Sequence, residues 1–582
     1  MKNYKKVYAA FILAGGLILH GCNGIFDDLA INPNQPSMGA YFTSPSAVND
    51  AVMTMYGYMS TQRCLGASGS KTTIIRSDEA SSNSDYGKPG MFGADLNASY
   101  YTIEQPYTLM YTTASQASYI IETAPSVDFS GNEELRNAYM GEAYFWRAFA
   151  HYYLLINFRN ISPIRQMPRN GDDYVRPLEK PAAVWNFIQE DLAHAKELLP
   201  VKGYWDSKNA GRVTKASAAA LLGKAYLYRS GIEQYYGEDK TTFYSEAAKE
   251  FGDVIDGKYG TYDLTKNYAD NFDVAHENNE ESILEFQFLG DVDNAGFNPG
   301  LATSGLAFDS RGLMLPGAGV GYEGVVHNWL YNAFVNSVDK DGYTDIRMFS
   351  TMIFNDLDAS IHLRNDAGGN PVRLEGPGGY KWEELYPAKN GKEGFATVSN
   401  PLAHSFKAGI RKGIDCSMPT QTEADGTPKL VGVGAGVKEY VYNQPRAHGV
   451  NWRYIRYADV LMMYAEAIVS GGTQASNMTP LQAVNKVRGR VNMSELPSVT
   501  MTDILNERIL EFALEGHRFY DLLRWGKLAS RFTELQESDP NFKKFISADD
   551  FKGFVTNKHE WLPIPINEVN SNPYITENNP GY

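Results

Sequence analysis

Glu507, Glu511 and Glu515 fall four residues apart within Asp503–Lys527 (DILNERILEFALEGHRFYDLLRWGK). On a helix they would stack along one face, where three carboxylates could act as acid/base groups. The same stacking repels and weakens an isolated helix. Arg508, Arg518 and Arg524 lie close enough in sequence to neutralise the row. The stretch therefore reads first as a structural ion-pair cluster pinned inside a larger protein, and only second as catalytic. Ile504, Leu505, Ile509, Phe512 and Ala513 make an apolar stripe at helical spacing, which predicts one helix with a tail, interrupted at Gly516.

Other chemistry is sparse. Asp339-Lys-Asp341-Gly342-Tyr-Thr-Asp345 has the look of a calcium loop. An EF-hand needs Gly at position six and Glu at twelve, whereas here Gly is at position four and Ser350 at twelve, so a turn is the better reading. Asp291, Asp293 and Asn294 are no stronger as a cation site. The chain has no Gly-rich phosphate loop, no G-x-S-x-G and no His-Glu-x-x-His, and its ten His are scattered without metal spacing. No cofactor and no metal are expected. Glycoside hydrolysis needs only two acids at the right separation in space, and no pair stands out.

Lys2, Lys5 and Lys6 precede an apolar run from Val7 to Leu19, too short to span a bilayer. The run ends in Leu19-His20-Gly21-Cys22, the pattern of a bacterial lipoprotein signal. We expect residues 1–21 to be a signal peptide and Cys22 to be acylated. Residues 22–42, rich in Asn, Pro and Gly, would be the tether. Removing residues 1–21 takes three Lys, and the net charge goes from −15 to −18, which argues against nucleic acid and anionic lipid surfaces. Cys64 and Cys416 are too few for a disulfide framework.

The elements that position these groups are mostly helical. Apolar periodicity predicts helices over 46–59, 107–122, 133–158, 182–199, 214–230, 244–257, 452–470 and 479–491. The segment 133–158 is apolar nearly all round and should be buried on several sides. Leu222-Gly223-x-x-Tyr226 and alternating long and short helices resemble tetratricopeptide pairs at irregular spacing. The stretch 259–451 is different, rich in Gly and short Val/Ile/Phe runs, and long loops of this kind usually carry function or disorder. The expected fold is mainly α: a degenerate tetratricopeptide-like scaffold (43–258 and 452–528), a loop-rich, partly β or irregular ligand-binding region (259–451) and a C-terminal segment (529–582), all in one domain, 43–582.

Five separated motifs give this chain a resemblance. Glu507-Arg508, Glu511, Glu515-Gly516, Arg518, Asp521-Leu522 and Arg524-Trp525-Gly526 look like the C-terminal signature of the SusD/RagB family of outer-membrane nutrient-binding lipoproteins. Arg147-Ala148 in its helix, Arg456 to Ala467, the closing Leu562-Pro563-Ile564-Pro565 with Asn578 to Tyr582, and the lipobox follow the same family in order. One departure shows after the Arg147 helix: the chain reads Phe158-Arg-Asn-Ile-Ser-Pro163, where the family usually has an aromatic-Gly turn.

The resemblance implies a cell-surface lipoprotein, anchored in the outer membrane by lipid. It would capture an oligosaccharide or polysaccharide for a SusC-like TonB-dependent transporter, over which it acts as a lid, without turnover. Peptide capture is the alternative within the same fold, and glycoside hydrolysis the remaining one. Sugar recognition wants aromatic faces and a few fixed polar groups. By position in the family these are Asp78 and Glu79 in an acidic turn, then Tyr86, Phe92 and Asn97, and in the middle region Phe297, Asn298 and Tyr322. Trp382 and Trp205 lie in other polar loops, and Trp382 joins the candidates. Trp146, Trp185, Trp452 and Trp525, on or beside the helices, are expected in the core.

Overall fold

In the computed structural model the apolar stripes of the sequence become a run of packed helices. The structure describes residues 42–82, 92–288, 324–413 and 449–582, apart from 62, 67, 94, 95, 170–172, 174, 377, 378, 399, 400 and 540–552, together with short strands at 308–309, 430–432, 438–440 and 447–448.

Helix α1 (Pro45–Ser60) starts with Pro at its first position, and the Ser44 hydroxyl accepts from Ala47 N–H. It is followed by α2 (Ser68–Ile75), α3 (Tyr101–Thr123), α4 (Glu133–Phe158), α5 (Pro181–Leu198), α6 (Lys215–Tyr236) and α7 (Tyr244–Ile255). From α3 onward each helix packs on the next. Helix α4 is buried on nearly every side, with Phe145, Trp146, Phe149 and Tyr152 inside. Small residues set the closest approaches. A Cβ at Gly223 would stand 2.7 Å from the Phe251 ring where α6 meets α7, and one at Gly141 2.9 Å from the backbone of Leu199.

The run resumes with α8 (Tyr457–Val469), which packs on α7, and α9 (Pro480–Arg490), opened by a Thr479/Gln482 capping box. Then come α10 (Met501–Glu511), α11 (Arg518–Arg524), which packs on α6, and α12 (Leu528–Ser538). The expected mainly α class is what the chain adopts. Among the described residues no helix is long and apolar enough to cross a membrane.

The middle region contributes strands. β1 (Ala80–Ser82), β3 (Gly324–Val326), β4 (Met352–Phe354) and β5 (Ala408–Ile410) form an antiparallel sheet in the order β1-β3-β5-β4, while β2 (Ser282–Phe286) pairs antiparallel with β6 (Trp452–Arg456).

Two local expectations change, and one departure finds its geometry. Residues 452–456 are strand, not helix, because Trp452 pairs with Phe286 and Arg456 with Ser282 across the chain. The long C-terminal helix stops at Glu511: Leu514 and Gly516 take φ of +62° and +85°, which no helix accommodates. Glu515 therefore leaves the face that holds Glu507 and Glu511. At the departure after α4, Arg159 itself takes the left-handed φ of +61°. Its guanidinium is clamped by both carboxylate oxygens of Glu233, at 2.5 and 2.9 Å, and lies over the Trp561 ring. Tertiary contacts hold here what a glycine would hold without strain.

Candidate functional site

The three glutamates that could have been acid/base groups are buried, and every one is ion-paired. Arg347 binds Glu507 at 2.5 Å, Glu511 at 3.0 Å and Asp345 at 2.7 Å. Arg456 binds Glu281 at 2.6 Å, Glu511 at 2.7 Å and Glu515 at 2.9 Å. Arg490 reaches Glu281 and Glu511, Arg488 reaches Glu507, and Lys412 reaches Glu515.

Burial alone would raise these carboxyls. For Glu511 the guanidiniums of Arg490, Arg456 and Arg347 outweigh burial and hold the carboxyl well below its usual range. For Glu515, Arg456 and Lys412 do the same. A carboxylate held ionised cannot donate a proton, so the arrangement is one of cohesion.

The expected neutralisers have other partners. Arg508 binds Asp459 and Asp521, Arg524 binds Glu466 and Asp521, and Arg518 binds Asp78. The cluster is structural as expected, but its cations come from four distant segments.

The Asp339 loop is a turn with Gly342 at φ +86°. One Asp339 oxygen accepts from the backbone N–H of Asp341 and Tyr343, and the other takes Arg364 at 2.5 Å and Asn492 at 3.2 Å. A guanidinium stands where the calcium reading would have put a cation. Among the described residues no group of three or more His, Cys, Asp or Glu could hold a metal ion.

Four of the candidate ligand residues are interior groups. Asp78 receives Arg518 at 2.9 Å and Arg531 at 2.6 Å. Burial pushes its carboxyl up, but these two cations more than reverse that. Glu79 accepts from the Leu514 N–H at 3.1 Å and from Ser77. Burial, with the Asp78 charge beside it, pushes its pKa up to about 8. The acidic turn thus clamps the start of β1 to the turn after α10 and to α11, and does not face a ligand.

Phe92 is 4% exposed, with Phe532, Phe554 and His559 around its ring at 4.9, 5.4 and 5.0 Å. Trp382 is 6% exposed and packs on Tyr386 and Phe395. Both rings are spent on packing, which corrects their assignment as sugar platforms. Tyr86, Phe297, Asn298, Tyr322 and Cys22 lie outside the described residues. Trp146, Trp185 and Trp525 are buried as expected, and Trp452 is half-buried, donating to the Glu515 carbonyl.

Asn97 alone among the described candidates is exposed. Its side-chain oxygen accepts from the Ser99 N–H at 3.0 Å, and this turn delivers the chain into α3. There Tyr100 and Tyr101 stack, ring centroids 5.2 Å apart and planes 30° from parallel, with Tyr101 38% exposed. The turn is fixed from below, because Ile566 N–H donates to the Ala98 carbonyl. Tyr100 is half-buried against the core, so the ring surface turned to solvent here is that of Tyr101, beside an exposed asparagine. Sequence reasoning passed over Tyr100-Tyr101, although the dipeptide follows closely on Asn97, which it singled out.

A mainly helical chain with this signature cluster defines a class of proteins built on a helical scaffold. Comparison makes the class specific. Residues 422–582 match the family model described as "SusD family", and residues 31–227 match that described as "Starch-binding associating with outer membrane". The chain thus resembles SusD-type proteins in both its N-terminal and its C-terminal part. It is 25% identical over 533 residues to a SusD-like protein of Bacteroides ovatus, covering 90% of this chain and 83% of that one.

Among solved structures, a SusD superfamily protein from Bacteroides vulgatus superposes with a TM-score of 0.67 at 22% identity, covering 93% of this chain and all of that one (100%). Surface glycan-binding protein A from Bacteroides thetaiotaomicron, in complex with laminarihexaose, superposes with a TM-score of 0.65 at 18% identity, covering 92% and 100%.

Proposed function

We propose that this protein is a cell-surface glycan-binding lipoprotein that captures oligosaccharides and hands them to a SusC-like TonB-dependent transporter, closing over it as a lid. The observation that carries the reading is the Tyr100–Tyr101 stack beside Asn97, with Tyr101 exposed, on the loop that enters α3. The family description as starch-binding and associated with the outer membrane supports it, as does the laminarihexaose held by a protein of the same fold. Tyr86, Phe297, Asn298 and Tyr322 are proposed to complete the site. Residues 1–21 are proposed as the cleaved signal and Cys22 as the acylated residue. Each buried CH₂ of an acyl chain adds about 0.8 kcal/mol of membrane affinity, so two or three chains anchor firmly. The proposed role is binding without cleaving: Glu511 and Glu515, held ionised by their cations, are not poised as acids, and Glu507 is taken up in ion pairs.

The test is affinity for a panel of polysaccharides, laminarin and starch included, with the wild-type chain and with Tyr100→Ala/Tyr101→Ala. Shallow aromatic contacts give affinities on the order of micromolar to millimolar. Losing ring surface should cost roughly tenfold to a hundredfold, by analogy with base stacking on aromatic side chains. Unchanged affinity in this variant would remove the site assignment.

A further inference from the structure

A hairpin tip in the middle region carries chemistry that the proposed function does not use. Lys389 and Lys392 exchange both backbone hydrogen bonds, each N–H donating to the other's carbonyl at 2.9 Å. The residues between them, Asn390 and Gly391, take φ of +51° and +72°. A two-residue connection with both φ positive is a type I′ turn, for which Asn-Gly is a preferred pair. Both residues are exposed. Among the described residues, neither the Asn390 side chain nor the Gly391 N–H has a hydrogen-bond partner.

Those two free groups are the reactants of a cyclisation. Once hydroxide has taken its proton, the Gly391 nitrogen can attack the side-chain carbonyl carbon of Asn390. The new C–N bond closes a five-membered imide, and the side-chain nitrogen leaves as ammonia. Water then opens the imide at either carbonyl. The product is aspartate, or an isoaspartate whose main chain runs through the former side chain. Glycine brings no Cβ to hinder the attack.

The closed turn opposes the first step. A type I′ turn mirrors type I, so Asn390 has a ψ of about +30°. At that angle the Gly391 nitrogen lies across the Cα–C bond from the Asn390 Cβ, and the side-chain carbonyl is out of its reach. Rotating the two together takes Asn390 out of the left-handed region and breaks the Lys389–Lys392 pair.

From this geometry we infer that Asn390-Gly391 is a site of self-modification, shut by the closed hairpin and released by its local opening. The consequence falls on the residues beneath. The hairpin joins Tyr386 to Phe395, whose rings lie 4.9 Å apart and both pack on Trp382. Isoaspartate adds a carbon to the main chain between them, and either product puts a carboxylate between Lys389 and Lys392. Reclosure does not undo the reaction, so the product accumulates with the time the hairpin has spent open. The inference stands whether or not the tyrosine pair binds glycan.

The experiment follows conversion at Asn390 by peptide mapping and mass spectrometry during incubation at about pH 8. It compares the folded chain with the same chain unfolded in guanidinium chloride. Mapping separates this site from Asn23-Gly24 and Asn170-Gly171, which share the dipeptide. Lys392→Pro, which removes the N–H that closes the turn, is measured in the same two states. We expect folded wild type to convert Asn390 at least tenfold more slowly than unfolded wild type, and folded Lys392→Pro to recover most of that difference. Equal rates in folded and unfolded wild type, or no conversion at Asn390 in the unfolded chain, overturn the inference. So does a folded Lys392→Pro chain that converts as slowly as wild type. If Lys392→Pro does not fold, the comparison within wild type decides.

Discussion

The first helical run and the C-terminal third both bury charge, but they do so differently. In the run, arginines meet one acid each. Arg147 grips Asp191 between α4 and α5, Arg212 grips Glu142, and Arg159 grips Glu233 between the end of α4 and α6. Each pair fixes one crossing of neighbouring elements. Around the acids of the C-terminal third, Arg347 from the middle region and Arg456 each hold three acids, and those acids are shared again with Arg488, Arg490 and Lys412. This network gathers residues 281, 345–347, 412, 456, 488–490 and 507–515. A pair could be replaced by two apolar side chains of similar size at little cost. A network cannot be replaced one member at a time, since each removal strands several charges.

The largest expected effect is at its centre. Arg456→Met leaves Glu281, Glu511 and Glu515 short of a cation and should cost about 3–5 kcal/mol or prevent folding, read from denaturant unfolding. A loss under about 1 kcal/mol would erase the contrast between the two regions.

Next in size is Arg147→Met, which strands Asp191 and should cost about 3 kcal/mol, while adding Asp191→Leu should restore stability to within about 1 kcal/mol of wild type. A double variant no better than the single one would show that the pairs, too, are irreplaceable.

A smaller effect sharpens the junction between the regions, where Glu79 meets the turn after α10. Its pKa is raised in the fold, to about 8 from an ordinary 4.5. The folded chain therefore holds a proton there that the unfolded chain releases. The contribution to stability is fully present below about pH 4.5 and is lost as pH rises through about 8. Between pH 6 and 8 wild type should lose about 2 kcal/mol that Glu79→Gln does not. Parallel pH profiles for the two chains would contradict this assignment. The smallest stability effect belongs to the rim: Tyr101→Ala should unfold within about 0.5 kcal/mol of wild type while losing glycan affinity.

Much of the scaffold was legible because helical periodicity is local. Glu133–Phe158 follows from its own apolar pattern and from Asn132, whose side chain accepts from the Leu135 N–H. What could not be read depends on distant partners. Trp452–Arg456 has a helix-compatible pattern and becomes strand only because Ser282–Phe286 arrives beside it. The cations that answer Glu511 lie at 347, 456 and 490, not on its own helix. Phe92 and Trp382 stand in polar, loop-like sequence, yet Phe532, Phe554 and His559 close over one and Tyr386 and Phe395 over the other. Aromatic residues in loops serve cores and ligands alike, and sequence composition does not separate the two.

The clamp at the start of β1 bears on how the chain is made. Asp78 waits for Arg518 and Arg531, more than four hundred residues later, and Arg76 donates to the carbonyl of His559. At the other end of α4, Asn160 bonds Asn579. During vectorial synthesis or export the early helices emerge long before these partners. The N-terminal half is then left with uncompensated polar groups at its seams until almost the last residue has appeared. A chain cut short cannot close these seams by local zippering, so the native state is gated by completion of the chain.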